Sequence, residues 1–311
     1  MGKQHEPWRW RIWGAPVKRA LIFAGGGSRG AFQIGVWKYL KERNWMPDII
    51  CGTSVGAINA VGIASGLDTQ TLIRLWTTHN RRKMYQLNLV PFLSCFLSGR
   101  ALKPLLDTRM LQQVVSDHLD FNRLKNSRTK VVISAVNVHT ARSCFFDNSQ
   151  IGLAHVLASS ALPILFPWHN IDGVPHWDGG VMTNIPLQPA LDFGADEIII
   201  AMLSPIGHTP QPFPRTVRGA LEHVFEQFLA SAYQSALLTR GYQDSPLPSP
   251  QLKYETRYHR NNCGEYQPNI ITLAPSKMLG FRSLLNFSPI QAKALIQEGY
   301  TTAYRQLKPF I

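Results

Sequence analysis

The chain has 311 residues, 45% of them hydrophobic, and 32 Lys and Arg against 19 Asp and Glu give a formal net charge of +13. That length bounds it to one large α/β domain or two small ones, and no apolar run reaches the length that crosses a bilayer. The basic balance points to partners carrying phosphate, on nucleic acid or anionic lipid, but no zinc-finger, helix-turn-helix or RNA-binding signature accompanies it.

Residues 1–17 form a basic, Trp-rich extension. They lack the apolar h-region of a secretory signal, and Met1 to Glu6 fails the myristoylation pattern, which wants Ser or Thr at the sixth position. Trp8-Arg9-Trp10-Arg11-Ile12-Trp13 suits a membrane–water interface; a short arm packed on the domain or a disordered tail is an equal alternative. Val17 to Ala24 reads as a strand and Ala31 to Glu42 as a helix, with Gly25-Gly26-Gly27-Ser28-Arg29-Gly30 between them. Ile49-Ile50-Cys51 reads as the end of a buried strand. After Gly52-Thr53-Ser54-Val55-Gly56, the stretch Val55 to Ser65 reads as a helix packed closely on a sheet. Leu87 to Leu97 is denser in apolar residues than a loop needs, which suits a lid, an interfacial surface or a core segment.

Thr129 to Val138 is the next expected strand, with Cys144-Phe145-Phe146 as its neighbour, and Ile151 to Ala161 the next helix. Ile171-Asp172-Gly173-Val174 signals a tight hairpin. Leu187 to Phe193, Gly194, then Glu197 to Leu203 reads as helix, C-terminal glycine and strand. Pro205 to Pro214 and Asp244 to Pro250 are proline-rich breaks. Between them Val217 to Tyr242 carries helical periodicity through Leu221, Val224, Phe225, Phe228 and Leu229. Ile270 to Leu273 reads as a last strand. Ser288-Pro289-Ile290-Gln291 opens a helix with a Ser cap, Pro in the first turn and Gln to close a capping box. There is no internal repeat. Strands alternating with helices predict a three-layer α/β/α sandwich around a mainly parallel sheet.

Two glycine-rich turns carry the chemistry. Gly52-Thr53-Ser54-Val55-Gly56 has the G-x-S-x-G form of a nucleophile elbow, with Ser54 on a strand-to-helix turn and Gly52 and Gly56 leaving room for it. Ser54 would then face a helix N-terminus that favours developing negative charge; the bland alternative is a helix cap. The first turn fits two chemistries. As G-x-G-x-x-G it is a dinucleotide fingerprint, which wants an acid at the end of the next strand; the chain offers Gly52-Thr53-Ser54 there, and Asp48 comes too early. As an oxyanion site it supplies N–H groups from Gly26 and Gly27, with Arg29 close by. Asp178, in His176-Trp177-Asp178-Gly179-Gly180, is a candidate base at a strand end. An ordinary carboxylate is a poor base for an alcohol, so this reading needs desolvation and a strong oxyanion site.

These residues resemble the patatin-like phospholipases, serine acyl hydrolases with a Ser/Asp dyad. Four blocks of that family appear in order. They are Gly25 to Gly30; Gly52 to Gly56; Ala158-Ser159-Ser160-Ala161-Leu162-Pro163 with Phe166-Pro167; and Asp178-Gly179-Gly180 with Asn184-Ile185-Pro186. The likeness runs from about Lys18 to Pro205, with a fainter echo in the last strand and helix. It implies one catalytic domain over 18–311, with a variable segment at about 205–269. It assigns Ser54 as nucleophile, Asp178 as its activator, Gly25, Gly26, Gly27 and Arg29 to the oxyanion site, and Gly52, Gly56, Gly179 and Gly180 to support. The expected reaction is hydrolysis of an acyl ester in a phospholipid or other acyl lipid, with no cofactor or metal, no nucleic-acid partner and peripheral contact with anionic membrane.

Alternatives stay open on the residues alone. An esterase with a Ser/Asp/His triad would recruit His208, His223 or His259, and His176 is a rival base on the strand of Asp178. A nucleotide-binding protein and a non-catalytic membrane-binding module are two further classes. The four cysteines, Cys51, Cys95, Cys144 and Cys263, show neither metal-ligand spacing nor a disulfide framework. A cytoplasmic setting is therefore expected.

Overall fold

The computed structural model describes residues 16–81, 84–98, 103–205, 212–238, 259–260 and 266–311. The Trp8 to Trp13 segment, His208, Asp244 to Pro250 and Cys263 lie outside them. The first half comprises β1 (Arg19–Phe23), α1 (Ala31–Glu42), β2 (Ile49–Thr53), α2 (Val55–Ala64) and α3 (Thr69–Thr78). A small hairpin follows, β3 (Gln86–Leu87) and β4 (Leu106–Asp107), carrying α4 (Leu89–Ser98) between its strands. Next come α5 (Arg109–His118), α6 (Phe121–Lys125), β5 (Lys130–Asn137), β6 (Arg142–Asp147) and α7 (Leu153–Ser159). The rest is β7 (His169–Ile171), β8 (Val174–Asp178), α8 (Leu187–Asp192), β9 (Glu197–Ala201), α9 (Val217–Leu238), β10 (His259–Arg260), β11 (Tyr266–Gln267), β12 (Asn269–Leu273), α10 (Gly280–Leu284) and α11 (Pro289–Leu307).

The main sheet has eight strands in the order β12-β9-β1-β2-β5-β8-β7, with β6 also on β5. From β12 to β5 every neighbour is parallel. Strands β6, β8 and β7 join antiparallel. The parallel strands are apolar on both faces, as a sheet covered on both sides requires. Leu21 and Phe23 of β1 face α1, α2 and α11 in the larger core, while Ala20 and Ile22 face α8 in the smaller one. The layers are therefore those of an α/β/α sandwich, as the alternation predicts.

Local signals explain most boundaries. Asp172 and Gly173 both take positive φ (50° and 79°) between β7 and β8, as a two-residue hairpin turn requires. Ser288 caps α11 by accepting from the Gln291 N–H (3.2 Å), with Pro289 in the first turn. The elements from α3 to α6 are the part the sequence pattern did not outline.

Sheet register sets the active-site geometry. β2 runs along one edge of β5 and stops where Thr53 pairs with Ser134. β8 runs the other way and stops where Asp178 pairs with Ala135, the next residue of β5. The two strands meet head to head against β5, so Ser54 and Asp178, 124 residues apart in the chain, are neighbours at the junction.

Candidate active site

Ser54 turns the chain from β2 into α2 with φ 57° and ψ −126°. A non-glycine residue in such a region costs on the order of 1–3 kcal/mol. The cost is met by surrounding bonds: the Ser54 N–H donates to Ser159 Oγ (2.9 Å), and its carbonyl accepts from the N–H groups of Ala57 and Ile58. Gly52 and Gly56 press together across the turn, and Gly56 in turn lies on the backbone of Phe23 and Ala24.

Asp178 is buried, with 3% of its surface exposed. Its carboxylate accepts from the Gly180 N–H (2.7 Å), and the Ser54 hydroxyl lies near enough to favour its charged form. Burial pushes the carboxyl up to about 7 against those two contacts, which pull it down. The Asp178 N–H donates to Ala161 O (2.9 Å), so the Ala158 to Pro163 block holds both Ser54 and Asp178 in place. Gly179 lies against the backbone and hydroxyl of Ser134, an approach that leaves no room for a Cβ.

The first glycine turn closes over Ser54. A Cβ on Gly25 would lie 3.1 Å from Ser54 Cβ and 2.5 Å from Asn184 Oδ1. The Gly25 N–H donates to Asn184 O (3.2 Å), and that of Arg29 to Gly26 O (3.3 Å). Among the described residues the N–H groups of Gly26 and Gly27 donate to no acceptor, and both residues line the cleft with Ser54 and Asp178. Gly25 therefore departs from the expected part: its donor is already used, and it serves close packing.

Arg29 departs further. Its side chain is fully buried and turned from Ser54. Nε donates to Ser283 Oγ (2.7 Å), Nη1 to Leu203 O (3.2 Å) and Nη2 to Gly280 O (2.9 Å). Nη2 also lies 2.6 Å from Glu226 Oε1 of α9; neither Glu226 oxygen receives an aligned hydrogen bond there, so the contact is an ion pair by proximity. With its donors so committed, the guanidinium braces the glycine turn and supplies nothing to an oxyanion.

Several supporting residues escaped the sequence reading. Ser28 Oγ donates to Ser283 O, and Gln291 Nε2 donates to both Ser28 Oγ and Ser283 O (2.9 Å each). Behind the turn, Asn59 Nδ2 donates to Gly30 O (3.0 Å) and Gln33 Oε1 (2.9 Å), Gln33 Nε2 to Ala24 O (2.7 Å), and Trp76 Nε1 to Asn59 Oδ1 (3.1 Å). Single polar residues inside apolar helices were the available signal, and only burial gives them meaning.

From Ser54 a largely apolar cavity extends among α2, α3 and α5, past Ile58, Leu72, Trp76, Val115, Leu119 and Phe287. About 880 Å³ of non-atom space lies within it, part of it open to solvent. A second arm holds Gly26, Gly27, Asp178, Phe225 and Leu284. His176, the rival base, lies elsewhere. Its Nδ1 is bonded to Val174 O (2.8 Å) and its ring lies against Phe146. Leu87 and, on α4, Leu89, Val90 and Leu93 are exposed, so this apolar stretch is surface, with Cys95 buried.

Residues 21–191 match the family profile described as patatin-like phospholipase. The cGAMP-activated phospholipase of Pseudomonas aeruginosa is 28% identical over 190 residues, covering 56% of this chain and 55% of that protein. Patatin-like phospholipase domain-containing protein 7 of Mus musculus is 29% identical over 187 residues, covering 58% of this chain and 13% of that protein. The chain thus matches about half the length of the bacterial relative. Among solved structures, VipD from Legionella pneumophila superposes with a TM-score of 0.51 at 16% identity, covering 95% of this chain and 67% of that one, a likeness of fold. With more than half of the chain matched, the protein belongs to the patatin-like phospholipase family.

Proposed function

We propose that the protein hydrolyses acyl esters of phospholipids or lysophospholipids, with Ser54 as nucleophile and Asp178 as its base. The observation that carries this is the junction of β2 and β8, where a strained serine and a buried carboxylate line one cleft beside an apolar cavity. Ser54 Oγ attacks the ester carbonyl as Asp178 takes its proton. The oxyanion is held by the Gly26 and Gly27 N–H groups, donors of a kind worth about 3–4 kcal/mol each in the transition state. Asp178 returns the proton to the departing alcohol, leaving an acyl-enzyme. Water then attacks, Asp178 takes its proton, and Ser54 is regenerated as the fatty acid leaves.

Desolvation makes the carboxylate a competent base: a group poised near neutrality accepts a proton far better than one near 4. The relatives named as phospholipases support the substrate class. The free thiols of Cys51, Cys95 and Cys144 fit a reducing cytoplasm. Among the described residues no helix is long and apolar enough to cross a membrane, and we place the activity at the surface of an anionic bilayer.

Hydrolysis of mixed-micelle phospholipid and lysophospholipid tests the reading. Ser54→Ala and Asp178→Asn should each abolish turnover with the fold intact, and the double variant should lose little more than either alone, because such groups act as a unit. Full turnover in Asp178→Asn with loss in His176→Ala would contradict it.

A further inference from the structure

α9 presents two different faces. Inward, Phe225 lines the cleft that holds Ser54 and Asp178, and Glu226 meets Arg29 in the interior. Outward, Val217, Leu221 and Val224 are 80%, 58% and 62% exposed. Their spacing of four and three puts them in one stripe. Phe213, just before the helix, is also exposed, and so is Phe281, whose ring meets that of Phe225 at 4.9 Å. The apolar stripe therefore borders Phe225 on the helix that walls the cleft.

Arginines are interleaved with it: Arg215 and Arg218 between Phe213 and Leu221, and Arg282 beside Phe281, all exposed. Arg218 is paired with Glu222 (3.1 Å) while remaining largely in water. Exposed apolar residues among arginines, on the helix whose Phe225 lines the cleft, in a chain of net charge +13, match the chemistry of an anionic lipid surface. Apolar side chains enter the acyl boundary and guanidinium groups meet phosphate.

We propose that the outer face of α9, with Phe213 and Phe281, docks the protein on an anionic bilayer and aims the cleft at it. The proposal deepens the hydrolase reading of that cleft, but docking itself requires no turnover, so the two can be tested apart.

The experiment uses full-length protein with Ser54→Ala, co-sedimented with vesicles of phosphatidylcholine alone or mixed with phosphatidylglycerol. The parent should bind the mixed vesicles and bind phosphatidylcholine weakly. Leu221→Asp with Val224→Asp should weaken binding by about tenfold or more with an unchanged thermal midpoint, since both positions are exposed. Arg215→Glu with Arg282→Glu should reduce the preference for the anionic vesicles. Hydrolysis of a soluble ester by the Ser54 protein is scored separately; its absence alongside the expected vesicle pattern would remove the hydrolase reading and leave docking standing. The proposal is overturned if the parent binds no vesicle, or if the Leu221/Val224 variant binds as the parent does. It is equally overturned if the stripe variants dissolve a dimer without changing vesicle binding, or if only removal of residues 1–15 or Val90→Asp releases the protein.

Discussion

Ser54 holds a backbone conformation that glycine would occupy without strain, and Asp178 holds a carboxyl group that water would lower. Both are unfavourable for the fold and favourable for acyl transfer. The folded-state value of Asp178, about 7, lies above the unfolded carboxylate value of about 4. Its contribution to stability is therefore full below about pH 4 and is lost as pH rises through about 7. Two outcomes follow. kcat/KM for a soluble ester should rise with pH to a plateau with an apparent pKa near 7, since only the ionised carboxylate accepts the Ser54 proton; a limb near 4 would contradict the burial argument. Chemical denaturation above pH 7 should find Asp178→Asn more stable than the parent, on the order of 2–4 kcal/mol, while inactive. Equal or lower stability would mean that the carboxylate is better compensated than the Gly180 N–H and the nearby Ser54 hydroxyl indicate.

At the scale of elements, the glycine turn is held from behind by parts distant in sequence. Arg29, Ser28 and Gly27 rest on Ser283, Gly280 and Leu284 of α10, on Gln291 of α11 and on Glu226 of α9. Replacing Glu226 by Ala leaves a guanidinium buried without its counter-charge, a change that costs about 3–5 kcal/mol in comparable pairs. The expected result is a lower thermal midpoint together with a fall in kcat on a soluble ester, as the oxyanion donors lose their support. An unchanged midpoint would show the ion pair to be incidental. The strands and helices around both glycine turns were legible because short apolar runs, turn glycines and cap residues are local signals, and they bound α1, α2 and α11 closely. Ser54 and Asp178 stood out as candidates for the same reason: Ser54 follows a strand between Gly52 and Gly56, and Asp178 ends a strand before Gly179. The part played by Arg29 was not legible, because a charged side chain in a glycine loop reads as a ligand group until burial shows its partners. The antiparallel attachment of β8 to β5 was equally hidden: register depends on which edge of β5 is left when β2 stops. The approach of α1 to α11, where Gly35 meets the Ile296 carbonyl and Gly299 the Phe32 carbonyl, carries no local mark at all.

For the whole molecule, the family match ends at residue 191, yet the cleft is closed by Phe225, Leu284 and Phe287. The proposed nucleophile, base and oxyanion donors come from the shared part. So do most of the walls, chiefly α2, α3 and α5, with Phe225, Leu284, Leu285 and Phe287 added from beyond it. The central claim is that Ser54 is an activated nucleophile. Intact-mass analysis after exposure to a fluorophosphonate, on the purified protein and on Ser54→Ala, tests it most directly. One adduct on the parent and none on the variant is the predicted result. No adduct on folded protein supplied with anionic vesicles, or an adduct that persists in Ser54→Ala, would contradict it.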